Sequence, residues 1–308
     1  MGIIDVDGIV KKYGEKTALD NVSFSVEKGE IFGLIGPDGA GKTTLFRILA
    51  TLLLPDAGKA SVEGHDTVTD FAAIRRSIGY MPGHFSLYQD LSVRENLEFF
   101  ATIFGTTVEA NYDNIKEIYS QLEPFADRRA GALSGGMKQK LALCCALVHK
   151  PSVLFLDEPT TGVDAVSRKE FWNILYRIRS GGVTILVSTP YMDEASLCDR
   201  IALIQQGAIF ETGTPDGIVS EYPYGLLAVK GKPVYPLLQF LRTCDGVVNC
   251  FSFGSECHAA IDSSVTGCSR LQRELSGAGF RNFSVREITP GVEDCFLQLS
   301  IMKRDGMR

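Results

Sequence analysis

The hydrophobic pattern divides the chain into two stretches of different texture. From residue 1 to about 215, short β-branched apolar runs alternate with longer helical patterns, which predicts an α/β core. Ile31-Phe32-Gly33-Leu34-Ile35 enters a glycine-rich loop, and Thr44 to Leu54 reads as the helix leaving it. Val153-Leu154-Phe155-Leu156 and Val183-Thr184-Ile185-Leu186-Val187 are continuous apolar runs bounded by breakers, as expected of central strands covered on both faces. After Thr214-Pro215-Asp216-Gly217 the texture changes, with Pro and Gly clustered from Pro223 to Pro236. There the pattern reads strand, helix, two strands, helix, strand. The segments are Leu226–Lys230, Val234–Arg242, Val247–Phe253, Cys257–Ile261, Gly267–Leu275 and Phe283–Ile288. That order predicts a split βαβ, ferredoxin-like unit.

Composition narrows the partners more than the fold. The 308 residues suffice for one large or two smaller domains, and 45% apolar with 22% charged is ordinary for a globular protein. A net charge of −6 gives no electrostatic reason to expect a nucleic-acid partner. No apolar run approaches the roughly 18 residues of a membrane-spanning helix. Met1 to Asp5 lacks the basic and apolar regions of a signal peptide, so a cytoplasmic location is expected. The eight cysteines include no C-x-x-C pair and are expected to be buried free thiols rather than metal ligands.

The chemistry begins at Gly36-Pro37-Asp38-Gly39-Ala40-Gly41-Lys42-Thr43, a complete G-x-x-x-x-G-K-[ST] loop. Its glycines let backbone N–H groups converge on phosphates, and the following helix points its positive end at the same oxygens. Lys42 is the candidate partner of the β- and γ-phosphates of ATP, Thr43 of Mg²⁺, with Thr44 beside them. Further on, the apolar run Val153 to Leu156 ends in Asp157-Glu158. A carboxylate at the end of a buried strand needs a strong partner, and Mg²⁺ suits Asp157. Glu158 is the candidate group that polarises the attacking water.

Between these two motifs stands Leu133-Ser134-Gly135-Gly136-Met137-Lys138-Gln139-Lys140. Ser134 reads as an N-cap, with two glycines baring the first helical N–H groups. This is a second anion site in a chain that already has one, which implies a second nucleotide presented by another subunit.

With its motifs in this order, the chain resembles the ATP-binding subunits of ABC transporters over roughly residues 3 to 215. The resemblance implies a P-loop ATPase domain over 1–220 and a small α+β, ferredoxin-like accessory domain over 221–308. It implies that Tyr13 stacks on adenine, and that Ser134, Gly135 and Gly136 contact the γ-phosphate of a partner subunit. It also implies that Asp164 belongs to a loop crossing the dimer interface. The tail Val292-Glu293-Asp294-Cys295-Phe296-Leu297 is similar to that of drug-exporter ATPases of the daunorubicin-resistance type. The implied partners are an integral-membrane permease of the ABC-2 type, docked at Phe85 to Leu97, and a second ATPase subunit. The implied place is the inner face of the membrane.

Two positions depart from the family. Where it has a glutamine after Gly79-Tyr80-Met81-Pro82, this chain has Gly83 followed by His84. Where it has a histidine after Val187-Ser188-Thr189, this chain has Pro190. Neither residue offers a side-chain donor or ligand. Binding with slowed hydrolysis is therefore expected, in an asymmetric pair with a different ATPase. A homodimer in which His84 or Gln89 substitutes is the alternative. Other readings are a soluble ABC ATPase acting on ribosomes or DNA, and a non-hydrolysing regulator for which ATP is only dimer glue.

Overall fold

In the computed structural model, which describes residues 2–84, 86–304 and 306, the chain divides into two compact units, Met1–Pro215 and Asp216–Arg308. The first begins with a hairpin of β1 (Ile4–Tyr13) and β2 (Lys16–Val26), turned at Gly14 with a φ of 57°. Then come β3 (Ile31–Ile35), α1 (Lys42–Leu49), β4 (Ala57–Val62), β5 (His65–Asp66), α2 (Phe71–Ser77) and β6 (Ile78–Met81). After α3 (Val93–Ile103), α4 (Tyr112–Tyr119) and α5 (Gly135–Leu147), the chain returns through β7 (Val153–Asp157), α6 (Ala165–Ser180) and β8 (Thr184–Thr189). It closes with the pair β9 (Arg200–Gln205) and β10 (Ala208–Gly213).

These strands form two sheets. One is antiparallel, in the order β2-β1-β4-β5; the other runs β10-β9-β3-β8-β7-β6 and is parallel except for β10. Every residue of β3, β7 and β8 is buried, which is why these strands read as unbroken apolar runs. Helix α1 is enclosed by residues of both sheets. Phe24 stacks on Phe32 with centroids 5.3 Å apart, and Phe46 of α1 meets Phe155 edge-on at 6.1 Å.

The apolar pattern extends α1 to Leu54, but the helix stops at Leu49. Thr51 adopts a left-handed φ of 61°, and the N–H groups of Leu52 and Leu53 both turn back to the carbonyl of Arg47. Leu52 and Leu54 are exposed apolar residues that only mimic a helical repeat.

In the second unit, α7 (Pro215–Ser220) precedes β11 (Gly225–Lys230), α8 (Val234–Leu241), β12 (Val247–Phe253), β13 (Glu256–Ile261), α9 (Cys268–Gly277), β14 (Ser284–Glu287) and α10 (Val292–Arg304). The sheet is antiparallel with order β12-β13-β11-β14, the arrangement of a ferredoxin-like fold. Buried Ile218 of α7 accepts a bond from Cys295 Sγ of α10, at 3.7 Å. Leu237 and Leu241 of α8 and Leu271 and Leu275 of α9 form one core with Cys250 of β12 and Cys257 of β13. From α10, Asp294 Oδ1 meets His258 Nδ1 at 2.8 Å, and Gln298 Oε1 accepts from Asn249. All eight cysteines are free, and seven are buried.

Truncating Leu241, which is fully buried, to Ala should lower the opening free energy of β13 by about 2–5 kcal/mol. Amide hydrogen exchange read by mass spectrometry checks this. Unchanged protection of 256–261 would contradict the packing described.

Candidate nucleotide site

Parallel pairing lines up the functional segments at one edge. Ile35 pairs with Thr189, Asp157 with Ser188, and Met81 with Leu156. The residues leaving the carboxyl ends of β3, β8, β7 and β6 are therefore Gly36, Pro190, Glu158 and Pro82-Gly83, side by side. Ligands of open α/β sheets bind at this edge.

The phosphate loop spans Gly36 to Gly41. Gly36 N–H donates to Thr189 O (3.2 Å), and Gly207 N–H to Ala40 O (2.9 Å). A Cβ at Gly36 would lie 2.0 Å from the carbonyl oxygen of Ile204, so the position admits glycine alone. Gly39 and Gly41 have φ of 77° and 108°, and a Cβ at Gly41 would also strike Ala18 O at 2.5 Å. Helix α1 starts at Gly41 without any side-chain cap, leaving its first N–H groups to face an anion. Thr43 and Thr44 are half-buried in its first turn, and Asp38 is exposed, clear of the backbone groups of the loop.

Lys42 is only 3% exposed. Its ammonium donates to Gly36 O (2.7 Å) and Pro37 O (3.0 Å) and stands 3.1 Å from Glu158 Oε1. Three donors thus meet three oxygens, and the loop lysine is ion-paired to the very carboxylate expected to act on water. Phosphate oxygens are chemically suited to replace these partners.

Asp157, 1% exposed, accepts from Ser188 Oγ at 2.7 Å. Glu158 holds a left-handed φ of 51°, a strain of order 1–2 kcal/mol for a side-chain-bearing residue. Its N–H donates to Ser188 O (3.1 Å) and Ser188 Oγ (3.0 Å), which fixes that conformation. Half-buried Tyr80 lies close enough to feel Asp157: burial, then the Asp157 charge, push its phenol up to about 12. Gly83 sits against the same residue, since a Cβ there would lie 3.0 Å from Asp157 O and 3.7 Å from Asp157 Oδ2.

Ser134 caps α5, its Oγ accepting from Met137 N–H at 3.4 Å. Cβ atoms at Gly135 and Gly136 would approach Gly162 O (3.6 Å) and Ser167 Oγ (2.9 Å). Asp164 caps α6 through Val166 and Ser167, whose N–H groups hold its carboxyl below the usual range, the Ser167 bonds contributing most. Segments 134–136 and 162–167 therefore form one surface. Tyr13, 48% exposed, ends the hairpin whose second strand touches Gly41. Gln89 is tied to Gly131 (N–H to Gln89 O, 2.9 Å), on the approach to Ser134, and His84 is exposed.

Ser188 and Tyr80 were not singled out by motif. The available signal was Ser188-Thr189, two hydroxyls closing an otherwise apolar strand, where a buried polar group must have a partner. Gly41→Ala is expected to cost about 1–2 kcal/mol in positive-φ strain alone, before the Ala18 clash. Denaturant unfolding of the first unit measures this, and wild-type stability would contradict the loop geometry.

Residues 19–161 match the family model described as ABC transporter. The probable multidrug ABC transporter ATP-binding protein YbhF of Escherichia coli (strain K12) is 42% identical over 221 residues, 71% of this chain and 38% of that protein. The chain thus spans less than half the length of that relative. Daunorubicin resistance ATP-binding protein DrrA2 of Streptomyces coeruleorubidus is 34% identical, covering 96% of this chain and 94% of that one. Nod factor export ATP-binding protein I of Rhizobium sp. (strain N33) is 35% identical, covering 96% of each. The ATP-binding cassette MJ0796, solved as a dimer in a post-hydrolysis state with ADP and Pi, superimposes with a TM-score of 0.62 at 26% identity. That match covers 68% of this chain and 98% of that one. With relatives of 34–35% identity matched over 96% of its length, this chain belongs to the ABC transporter family.

Proposed function

We propose that this chain hydrolyses ATP to drive a membrane exporter of drugs or other amphipathic compounds, in a dimer of ATPase subunits that closes over two nucleotides. The observation that carries this reading is the alignment of Gly36–Thr43, Asp157 and Glu158 at one sheet edge, with a separate anion-binding start of α5 at Ser134. The phosphates take Lys42 and the first N–H groups of α1, releasing Glu158 to orient water. Tyr13 offers its exposed ring to adenine. Ser134, Gly135 and Gly136, backed by Asp164 and Ser167, serve the nucleotide of the second subunit.

Thr43 and Asp157 suit Mg²⁺, since a hydroxyl and a carboxylate are hard oxygen donors. Among the described residues no group of three or more His, Cys, Asp or Glu could hold a metal ion. An ion held by Thr43 and Asp157 would come with the nucleotide and neutralise its phosphates. Lys42, Thr43 and Asp157 then position the γ-phosphate while Glu158 accepts a proton from the attacking water.

The γ-phosphate lacks two attendants here. Position 83 lies against Asp157, so a side chain there would reach the catalytic edge, and glycine supplies none. Pro190 does the same at the end of β8. We infer slow turnover at this loop and an asymmetric pair with a second ATPase that keeps both groups.

The permease reading draws on an apolar cavity of about 360 Å³ beside β6, lined by Met81, Leu87, Phe100, Ile103 and Phe104 among others. Phe85, the start of the expected docking segment, lies outside the described residues; Ser86 and Leu87 line the cavity. Tyr80 and Pro82 also line it, so an inserted permease segment would press on the strand end that carries Gly83. Among the described residues no helix is long and apolar enough to cross a membrane. In this reading the permease holds the chain at the inner face.

Two measurements test the reading. Pull-down from native membrane is expected to recover an integral membrane protein and a second ATPase; recovery of neither contradicts an exporter. The lone chain is expected to hydrolyse slowly, and Gly83→Gln to raise its rate by on the order of 10²-fold. Fast hydrolysis by the unmodified chain, abolished by Glu158→Gln, contradicts the asymmetric pair.

A further inference from the structure

Arg168 and Glu194 form a charge cluster that the nucleotide chemistry above leaves unused. Glu194 lies in the turn after β8 and is 2% exposed. Its Oε2 accepts from Thr189 Oγ1 (2.6 Å) and Thr160 Oγ1 (3.1 Å). Its Oε1 is buried without a hydrogen-bond partner. A carboxylate so enclosed requires a counter-charge. Arg168, one turn into α6, supplies it: Nε stands 3.9 Å from Oε1, within ion-pair range and beyond hydrogen-bond length. The same guanidinium lies over the Tyr191 ring, 4.9 Å from its centroid, and 3.5 Å from Asp193 Oδ2.

What this cluster holds is the loop carrying Glu158. The left-handed conformation at Glu158 is pinned ahead of it by Ser188. Two residues beyond, Thr160 is pinned to Glu194, and Thr189 shares the same carboxylate oxygen. One buried acid thus fastens the segment just beyond Glu158 to the end of β8, while Ser188 holds Glu158 itself. Arg168 extends that fastening to α6, the helix capped by Asp164.

We propose that Glu194, charge-balanced by Arg168, is a positioning residue that sets the conformation of Glu158 and through it the rate of water attack. The proposal rests on the ATPase reading above and concerns the charge at 194, not its bulk. An amide there would turn an N–H toward the guanidinium and weaken the tie.

The test compares the full chain with its Glu194→Gln, Arg168→Met and Arg168→Lys variants. Hydrogen exchange of residues 157–161 should speed up on the order of tenfold in the first two, with β3 and α1 unaffected. ATP affinity should stay near wild type in all three, and the melting temperature near wild type in Glu194→Gln, whereas Arg168→Met, which strands a buried carboxylate, should melt lower. In the purified chain, the slow single-turnover hydrolysis of its own bound ATP should fall on the order of tenfold at unchanged ATP affinity, with partial recovery in Arg168→Lys. Unchanged exchange at 157–161, or faster exchange throughout with lowered melting temperature in Glu194→Gln, overturns the positioning role. A wild-type chain that fails to bind ATP overturns the ATPase reading instead.

Discussion

The parallel register that sets Ile35 beside Thr189 and Asp157 beside Ser188 governs the chemistry of the first unit. Because β3, β8 and β7 end level, the loop lysine, the buried aspartate and the strained glutamate come within reach of each other. A slip of one residue would turn Asp157 toward the opposite face and leave Ser188 unable to bridge it to the Glu158 amide. Ser188 is the joint of this arrangement, donating to Asp157 and accepting from Glu158. The apolar surroundings of β3, β7 and β8 make slippage costly, so core packing and catalytic geometry are the same constraint seen from two sides.

Much of this was legible from residues alone. The unbroken apolar runs announced buried strands, and the glycines of 36–41 announced a backbone-built anion cradle whose steric need is now visible at Gly36 and Gly41. The second unit was legible because its strands and helices are short and separated by breakers. Other features stayed hidden for physical reasons. Leu52 and Leu54 extended an apolar repeat past the true end of α1, which a left-handed Thr51 decides. The antiparallel β1–β2 hairpin, turned at Gly14, carried no phosphate-loop motif or acid pair to mark it. Helix α10 was noticed only as a family-like tail, since its docking through His258–Asp294 joins residues far apart in sequence. The Lys42–Glu158 ion pair likewise depends on tertiary approach and leaves no local trace.

The two departures gain meaning from where they fall. A Cβ at Gly83 would meet Asp157, and Pro190 follows the residue paired with Ile35, so both lie at the sheet edge where the proposed nucleotide would present its γ-phosphate. In that reading the residues that would grip nucleotide are intact, whereas those that would attend its terminal phosphate are depleted. Gln89, one candidate substitute, is tied to Gly131 near the signature helix through its backbone carbonyl, not its side chain. A division of labour with a second ATPase reconciles an intact signature at Ser134 with a thinned site at Gly83 and Pro190.

The central claim is that the edge formed by Gly36–Thr43 and Asp157–Glu158 is a nucleotide-binding site whose charge partner is Lys42. Calorimetric titration of the purified chain with Mg-ATP, wild type against Lys42→Ala, tests it directly. The account predicts saturable binding of ATP by the wild type. It predicts a loss on the order of 10–10²-fold in the variant, the value of a charged hydrogen bond of about 1.5–3 kcal/mol. Equal affinity in the two proteins, or no binding by the wild type, would contradict it.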